Sequence, residues 1–205
     1  MEELDNFFTD GAVLVKNRPV RRSPAKTKES PEEKEERIYQ QYKEIVSERV
    51  DSLNVNFDKV VDGYQLRLLT NNAINAIVMM QLIMDSFDVE EIYICIYRMN
   101  QKSVEFLRRN IYEANIPAVI LLSNFFRENR RYEAWFETLS ALSCDEFKIK
   151  TGVLHAKIFT CRTSCGRHFV FEGSGNLSDN ARIEQYMLED NKHMFDFYKG
   201  FMESY

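Results

Sequence analysis

The sequence predicts an α/β domain built on a mixed, mostly parallel sheet with helices on both faces. Three observations support this fold class. From about Val60 onward, segments rich in β-branched and aromatic residues alternate with segments whose apolar residues recur at helical spacing. Residues 117–122 (PAVILL) form a continuous apolar run, as expected for a strand buried on both faces. After Ser143, strand-type segments follow one another directly.

The alternating half predicts three strands, each followed by a helix. The strands are residues 64–69 (YQLRLL), 91–97 (EIYICIY) and 117–122. The first helix, residues 73–87, is apolar on nearly every side, which indicates deep burial. The apolar residues of the other two helices are Val104, Leu107 and Ile111 in one, and Tyr132, Trp135, Phe136 and Leu139 in the other.

The second half predicts a run of strands closed by a helix. The strands are residues 147–150, 154–161, 168–172 and 183–188, with a turn at 162–167 (RTSCGR). The final helix carries Met194, Phe197, Tyr198 and Phe201 on one face. We therefore assign residues 59–205 to one domain, in which no internal repeat is visible.

Residues 1–30 differ in composition and predict a disordered basic leader. Between Gly11 and Lys28 there are six basic residues and no acid, together with Pro19 and Pro24. Such a segment is either a solvated tail or an arm that holds nucleic acid or another partner.

Residues 31–58 predict a helical extension. Ser30 suits the N-cap, Pro31 the first helical position, and Glu33 completes a capping box. An apolar stripe follows at helical spacing: Ile38, Tyr42, Ile45 and Val46. The stripe packs either on the main domain or on another subunit.

Charge and hydropathy narrow the function classes. The formal net charge of −5 argues against a protein that coats nucleic acid through many phosphate contacts, but it allows a local positive cleft. The chain shows no apolar run of the roughly 18–20 residues that a membrane span needs, and MEELDNFF is not a signal peptide. These features predict a cytoplasmic protein without stable membrane association.

The cysteines predict thiols and no metal site. Cys161 and Cys165, with His155 or His168, come nearest to a zinc-binding set. They lack the second ligand pair that zinc-site spacings usually contain. His168, at the start of a strand, and His193, at the start of the final helix, are interpreted as structural.

One constellation suits phosphoryl transfer. His155 and Lys157 are two residues apart on a predicted strand, so both side chains project from the same face. Residues 173–176 (GSGN) end an apolar strand in a turn whose side chains and backbone amides can approach an anion. Glu184 follows on the next strand, where its carboxylate can orient an imidazole. The set supplies a nucleophile, phosphate donors and an orienting acid.

The order and spacing of these residues resemble the signature of the phospholipase D-like (HKD) superfamily, H-x-K-x4-D followed by G-S/G-x-N. The sequence of this region, HAKIF…GSGNLSDNARIEQY, is most similar to single-motif members from phages and bacterial mobile elements. The resemblance implies a phospholipase D-like domain with His155, Lys157, Asn176 and Glu184 as catalytic residues and Gly173, Ser174 and Glu172 as substrate-binding residues.

The sequence departs from the signature at one position. Arg162 stands where the superfamily has Asp, five residues after Lys157. Glu172, immediately before the GSGN turn, is the candidate to replace that acid in space. Because of this departure, a catalytically silent protein that binds nucleic acid in the same cleft remains an alternative.

The resemblance further implies a reaction without cofactor or metal. One histidine attacks phosphorus to form a phosphohistidine, and a histidine from a second motif protonates the leaving oxygen. Because this chain has one motif, the second must come from another copy, which predicts a homodimer. The leading hypothesis is a nuclease that cleaves DNA or RNA. The alternative, an enzyme of phospholipid headgroups, is less favoured because a basic amphipathic helix and a lipidation motif are not found.

Overall fold

A computed structural model describes residues 30, 32–34, 36–37, 39–40, 55–61, 64–71, 76–178 and 183–205. These residues contain a seven-stranded sheet with helices on both faces. The strands are β1 (Gln65–Asn71), β2 (Val89–Ile96), β3 (Ala118–Ser123), β4 (Phe147–Gly152), β5 (Lys157–Thr163), β6 (His168–Gly173) and β7 (Ile183–Asp190). The α-helices are α1 (Ala76–Ser86), α2 (Gln101–Leu107), α3 (Asn124–Glu128), α4 (Glu133–Ala141) and α5 (Lys192–Glu203), and a π-helical turn (Arg108–Tyr112) continues α2.

The sheet is mostly antiparallel, so the prediction of a mostly parallel sheet is wrong. The strand order is β1-β7-β6-β5-β2-β3-β4, and only β2–β3 and β3–β4 pair in parallel. Residues 147–150 belong to the predicted run of successive strands, so the parallel β3–β4 pair was not expected. The β-α rhythm does predict the parallel β2–β3 pair, since helical crossovers join parallel neighbours. It fails for β1, which lies at the sheet edge beside β7. Between β5 and β6 a short turn permits only antiparallel pairing.

The residues of β2 alternate between the two cores that lie on either side of the sheet. Ile92, Ile94 and Ile96 enter the larger core with α1, α2 and α4. Tyr93 and Cys95 enter the smaller core, which α5 covers. Each fully buried aliphatic side chain contributes about 1.5–3 kcal/mol, so both faces of β2 are strongly held.

The described part of the N-terminal extension forms the predicted capping box. The Ser30 hydroxyl accepts from the Glu33 amide at 3.2 Å, and the Glu33 carboxylate accepts from the Ser30 amide at 2.9 Å. Further along, Tyr39 is buried, with the guanidinium of Arg109 4.2 Å from its ring centre. This part of the extension therefore packs on its own chain. The basic leader 1–29 and the stripe residues Ile38, Tyr42, Ile45 and Val46 lie outside the described residues.

Strand pairing brings several strand ends to one end of the sheet, called here the site end. Ile96, the last residue of β2, pairs with Lys157, the first residue of β5. Gly173, the last residue of β6, pairs with Tyr186 near the start of β7. Loops that follow β2 and β6 therefore meet the segment that precedes β5. In the described part of the chain, no helix has the length and apolar character needed to cross a bilayer.

Candidate active site

His155 and Lys157 lie together at the site end, as the sequence predicts. His155 precedes β5 instead of lying on it, and its side chain is exposed. The Lys157 ammonium is 2.9 Å from His155 Nδ1 and 2.7 Å from the His155 carbonyl oxygen. An ammonium only donates, so with a charged Lys157 the Nδ1 atom accepts and a neutral ring carries its proton on Nε2.

Lys157 is largely buried, and the charges around it oppose each other. Burial lowers the pKa of Lys157 below the ordinary lysine value, and the positive charge of Arg98 lowers this pKa further. Glu184 acts in the opposite direction and raises the Lys157 pKa. Lys157 and Arg98 therefore place two cations near an exposed imidazole, and Glu184 partly offsets their charge.

The GSGN turn needs glycine because Tyr186 packs directly against it. A Cβ atom added at Gly173 would lie 2.6 Å from the Gln185 carbonyl oxygen and would overlap the Tyr186 ring. At Gly175, an added Cβ would overlap the Tyr186 hydroxyl. The Tyr186 ring is itself fixed by stacking on Phe171 at 4.9 Å, so it cannot easily move away.

The two polar side chains of the turn are held by different partners. Ser174 donates its hydroxyl hydrogen to the buried Glu184 carboxylate, and its oxygen accepts from the Gln185 amide at 3.0 Å. The Asn176 side-chain oxygen accepts from the Arg98 amide at 3.3 Å. Because Asn176 uses its oxygen for this bond, its amide group remains oriented by the backbone that follows β2.

Arg98 is a functional candidate that the sequence interpretation missed. Its Nε atom is buried and has no hydrogen-bond partner among the described residues. A buried guanidinium nitrogen without an acceptor is costly, so the position of Arg98 beside the site needs a functional explanation. The available signal was its position, since Arg98 is the first cation after the predicted strand 91–97 and lies where that strand leaves the sheet.

Glu172 is the predicted site residue that the structure does not bring to Lys157. In β6, Phe169 and Phe171 enter the larger core and Val170 the smaller one, so Glu172 lies on the face that α5 covers. There its carboxylate accepts from the Tyr198 hydroxyl.

Arg162 lies on the same face as Glu172 and pairs with acids far from His155. It contacts Glu90 at 2.5 Å and Glu91 at 2.6 Å. The position where the superfamily signature has Asp is therefore part of an ion-pair cluster beside α5. Having Arg instead of Asp at position 162 therefore does not change the side chains that surround Lys157.

The remaining cysteines and histidines are scattered. Cys161 is buried, and burial raises the pKa of its thiol. Cys165 is exposed in the turn after β5. His168 packs edge-on against Phe195, with 5.1 Å between ring centres. Within the part of the chain that the structure describes, no three His, Cys, Asp or Glu side chains form a group that could hold a metal ion.

Comparisons with known proteins identify the fold. Neither a protein-family model nor a curated protein sequence matches the chain. Among solved structures, it is similar to Nuc, a phospholipase D family member from Salmonella typhimurium, with 12% identity, a TM-score of 0.52, and coverage of 69% of this chain and 93% of Nuc. It also matches NucT from Helicobacter pylori, with 15% identity, a TM-score of 0.48, and coverage of 69% of this chain and 95% of NucT. A third match is TrmBL2, an archaeal chromatin protein, with 14% identity, a TM-score of 0.43, and coverage of 85% of this chain and 62% of TrmBL2. The similarity to Nuc shows that this chain has the fold of a phospholipase D family member.

Proposed function

We propose that this protein is a phosphodiesterase of the phospholipase D-like superfamily, acting as a nuclease on DNA or RNA through a covalent phosphohistidine. The observation that carries the proposal is the contact between His155 and Lys157, with Lys157 lining a small cavity together with Gly173 and Gly175 of the GSGN turn. The signature residues are far apart in sequence, yet the fold gathers them at one end of the sheet. The fold shared with Nuc supports the same assignment.

In the proposed reaction, Lys157, Asn176 and Arg98 hold the non-bridging oxygens of the phosphodiester. Lys157 has three N–H donors, and the phosphate oxygens compete with His155 Nδ1 for one of them. Once that bond is released, the imidazole proton can move to Nδ1, which frees the Nε2 lone pair. Glu184, proposed as the orienter of an imidazole, would hold that proton directly or through Ser174.

The reaction then proceeds in two displacements. His155 Nε2 forms a bond to phosphorus while the ester bond to the leaving oxygen breaks, and that oxygen takes a proton from the His155 of a second copy. Water next attacks phosphorus, the P–N bond breaks, and the proton of the water returns to that second histidine. Removing a donor such as Lys157 should slow turnover on the order of a hundredfold, as for other lost transition-state donors.

The second histidine requires two chains, and the site end has apolar surface that a second copy would cover. Val153 is 88% exposed two residues before His155, and Ile183 is 64% exposed beside Glu184. Leu69, near the end of the neighbouring edge strand β1, is 74% exposed. A homodimer around these residues would place two copies of His155 near each other. Light scattering should then give twice the 24.3 kDa chain mass.

The test is cleavage of labelled single- and double-stranded DNA and RNA in excess EDTA. We compare the wild type, His155→Ala and the matched control His193→Ala, which removes an exposed histidine on α5. The proposal requires EDTA-resistant cleavage and an acid-labile phosphoryl adduct, both lost only in His155→Ala. Cleavage that needs added metal would contradict the proposal. Binding without cleavage would identify a silent binding module, and hydrolysis of phospholipids alone would identify the lipid enzyme.

A further inference from the structure

His155, Tyr97 and Phe125 form a row of three aromatic rings across the surface at the site end. The Tyr97 ring is 4.5 Å from the His155 ring and tilted by 49°. Tyr97 also stacks on Phe125, with 5.1 Å between the ring centres and only 8° between the ring planes. Phe125 is 40% exposed, so the row ends in an aromatic surface open to solvent.

The backbone that carries Tyr97 and Phe125 is tied together by the buried Ser123. Its hydroxyl donates to the Tyr97 carbonyl oxygen and accepts from the Phe126 amide at 3.1 Å. Ser123 therefore joins the end of β3 and the start of α3 to the segment after β2. Phe125 is also supported from below by the buried Tyr132, whose ring centre lies 6.0 Å away. A preformed aromatic surface loses little entropy when a ligand stacks on it.

The charges near the row favour an anionic ligand. The Lys157 ammonium lies 5.6 Å from the Tyr97 ring centre, at the inner end of the row. Arg130 and Arg131 are exposed in the segment between α3 and α4, beyond Phe125. Exposed Glu128 and Glu133 reduce this positive charge, and Glu128 pairs with Arg127 at 2.8 Å. Lys157 and Arg98 therefore place positive charge at the His155 end of the row, with an aromatic surface beside it.

We infer that Phe125, stacked on Tyr97, is the binding site for an unpaired base of a single-stranded nucleic acid, one or two nucleotides from the phosphate held at His155. The inference rests on the proposed nuclease function and specifies its substrate. A phosphate clamp next to an open aromatic ring matches the alternation of phosphates and bases in a single strand. In a duplex the bases stack on one another and are not available to a protein ring unless they are extruded. The site therefore selects single strands.

The test measures binding of a fluorescent single-stranded 12-mer by anisotropy, with every protein carrying His155→Asn so that the strand stays intact. Phe125→Ala should weaken binding roughly 5- to 150-fold, the range for loss of one base-stacking contact. Phe125→Trp should bind at least as well as the parent, because it keeps a stacking surface. The matched control is Phe197→Ala, which removes a more exposed phenylalanine from α5 and should bind normally.

An abasic 12-mer distinguishes stacking from a general loss of affinity. Its phosphates remain, so Phe125→Ala should bind it as the parent does. Equal losses for ordinary and abasic strands, unchanged binding of the ordinary strand, or equal parental affinity for a blunt duplex would each overturn the inference. The wild type is assayed for cleavage in parallel. Cleavage without a Phe125 effect removes this inference alone, whereas base-dependent binding without cleavage removes the proposed nuclease activity and leaves the base site standing.

Discussion

Adding one methyl group at Gly173 should destabilise the protein strongly, because the turn and Tyr186 occupy the same space. The new Cβ would lie 2.6 Å from the Gln185 carbonyl oxygen and 2.8 Å from Tyr186 Cε1, and would overlap Tyr186 Cδ1. Neither neighbour can yield easily. Gln185 belongs to β7, whose backbone is paired on both sides, and the Tyr186 ring is buried against Phe171.

The expected magnitude lies at the upper end for overpacking. Overpacked cores typically lose about 1–3 kcal/mol, and we expect about 3 kcal/mol for Gly173→Ala because a backbone atom is among the obstacles. For a protein of this size, that corresponds to a melting temperature roughly 6–12 °C lower. The same methyl group added at Gly200, in α5, meets nothing within 4 Å. Gly200→Ala should stabilise by about 0.5–1 kcal/mol, since alanine favours a helix more than glycine.

Thermal and urea unfolding of the wild type and the two variants measure both effects. The two substitutions add the same atoms, so opposite signs would isolate the local surroundings as the cause. A Gly173→Ala protein that is as stable as the wild type would refute the packing of Tyr186 against the GSGN turn. If both variants were destabilised to a similar degree, a general intolerance of the fold to substitution would be the better explanation.

Two further predictions concern charged residues on β5. Burial lowers the pKa of Lys157, so its positively charged form is present below that pKa and is lost as the pH rises through it. The value of kcat/KM should therefore fall on an alkaline limb below about pH 10.4, the ordinary lysine value. Lys157→Arg should remove this limb, because a guanidinium keeps its proton; a limb that persists in the variant would assign it to another group. Arg162→Asp, which restores the acid of the superfamily signature, should destabilise by about 1–2 kcal/mol, because it replaces ion pairs to Glu90 and Glu91 with repulsion. The Glu91 pKa is lowered, so the ion pair between Arg162 and Glu91 is present at neutral pH and is lost as the pH falls through the Glu91 pKa. The difference in stability between wild type and Arg162→Asp should therefore shrink in acid. Increased catalytic activity of Arg162→Asp would contradict the placement of Arg162 away from the site.

Local sequence patterns correctly predicted contacts between residues that lie close together in the chain. The period of two in a strand predicted that His155 and Lys157 meet, and they do, although β5 begins only at Lys157. The Ser30 and Glu33 capping box also forms as its spacing predicts. In both cases the interacting residues lie within three positions of each other, so the contact depends mainly on local backbone geometry.

Contacts between distant segments were not predictable from the same patterns. Placing Arg98 beside Asn176 requires the pairing of β2 with β5 and of β5 with β6, and that strand order depends on the packing of the whole sheet. The Tyr97–Phe125 stack likewise joins the ends of two strands that are adjacent only through parallel pairing. Glu172 was expected at the site because of its place in the sequence, but the alternation of β6 turns it to the opposite face.

The alternation of β5 explains why Lys157 and Arg162 act in separate clusters. They are five residues apart, so their side chains point to opposite faces of one strand. Each also has a cross-strand partner in β2, with Ile96 opposite Lys157 and Glu91 opposite Arg162. A slip of one residue between β5 and β2 would turn Arg162 into the larger core and move Lys157 to the face that α5 covers. The ion pair between Arg162 and Glu91 opposes such a slip, whereas an aspartate at this position would face Glu91 with the same charge.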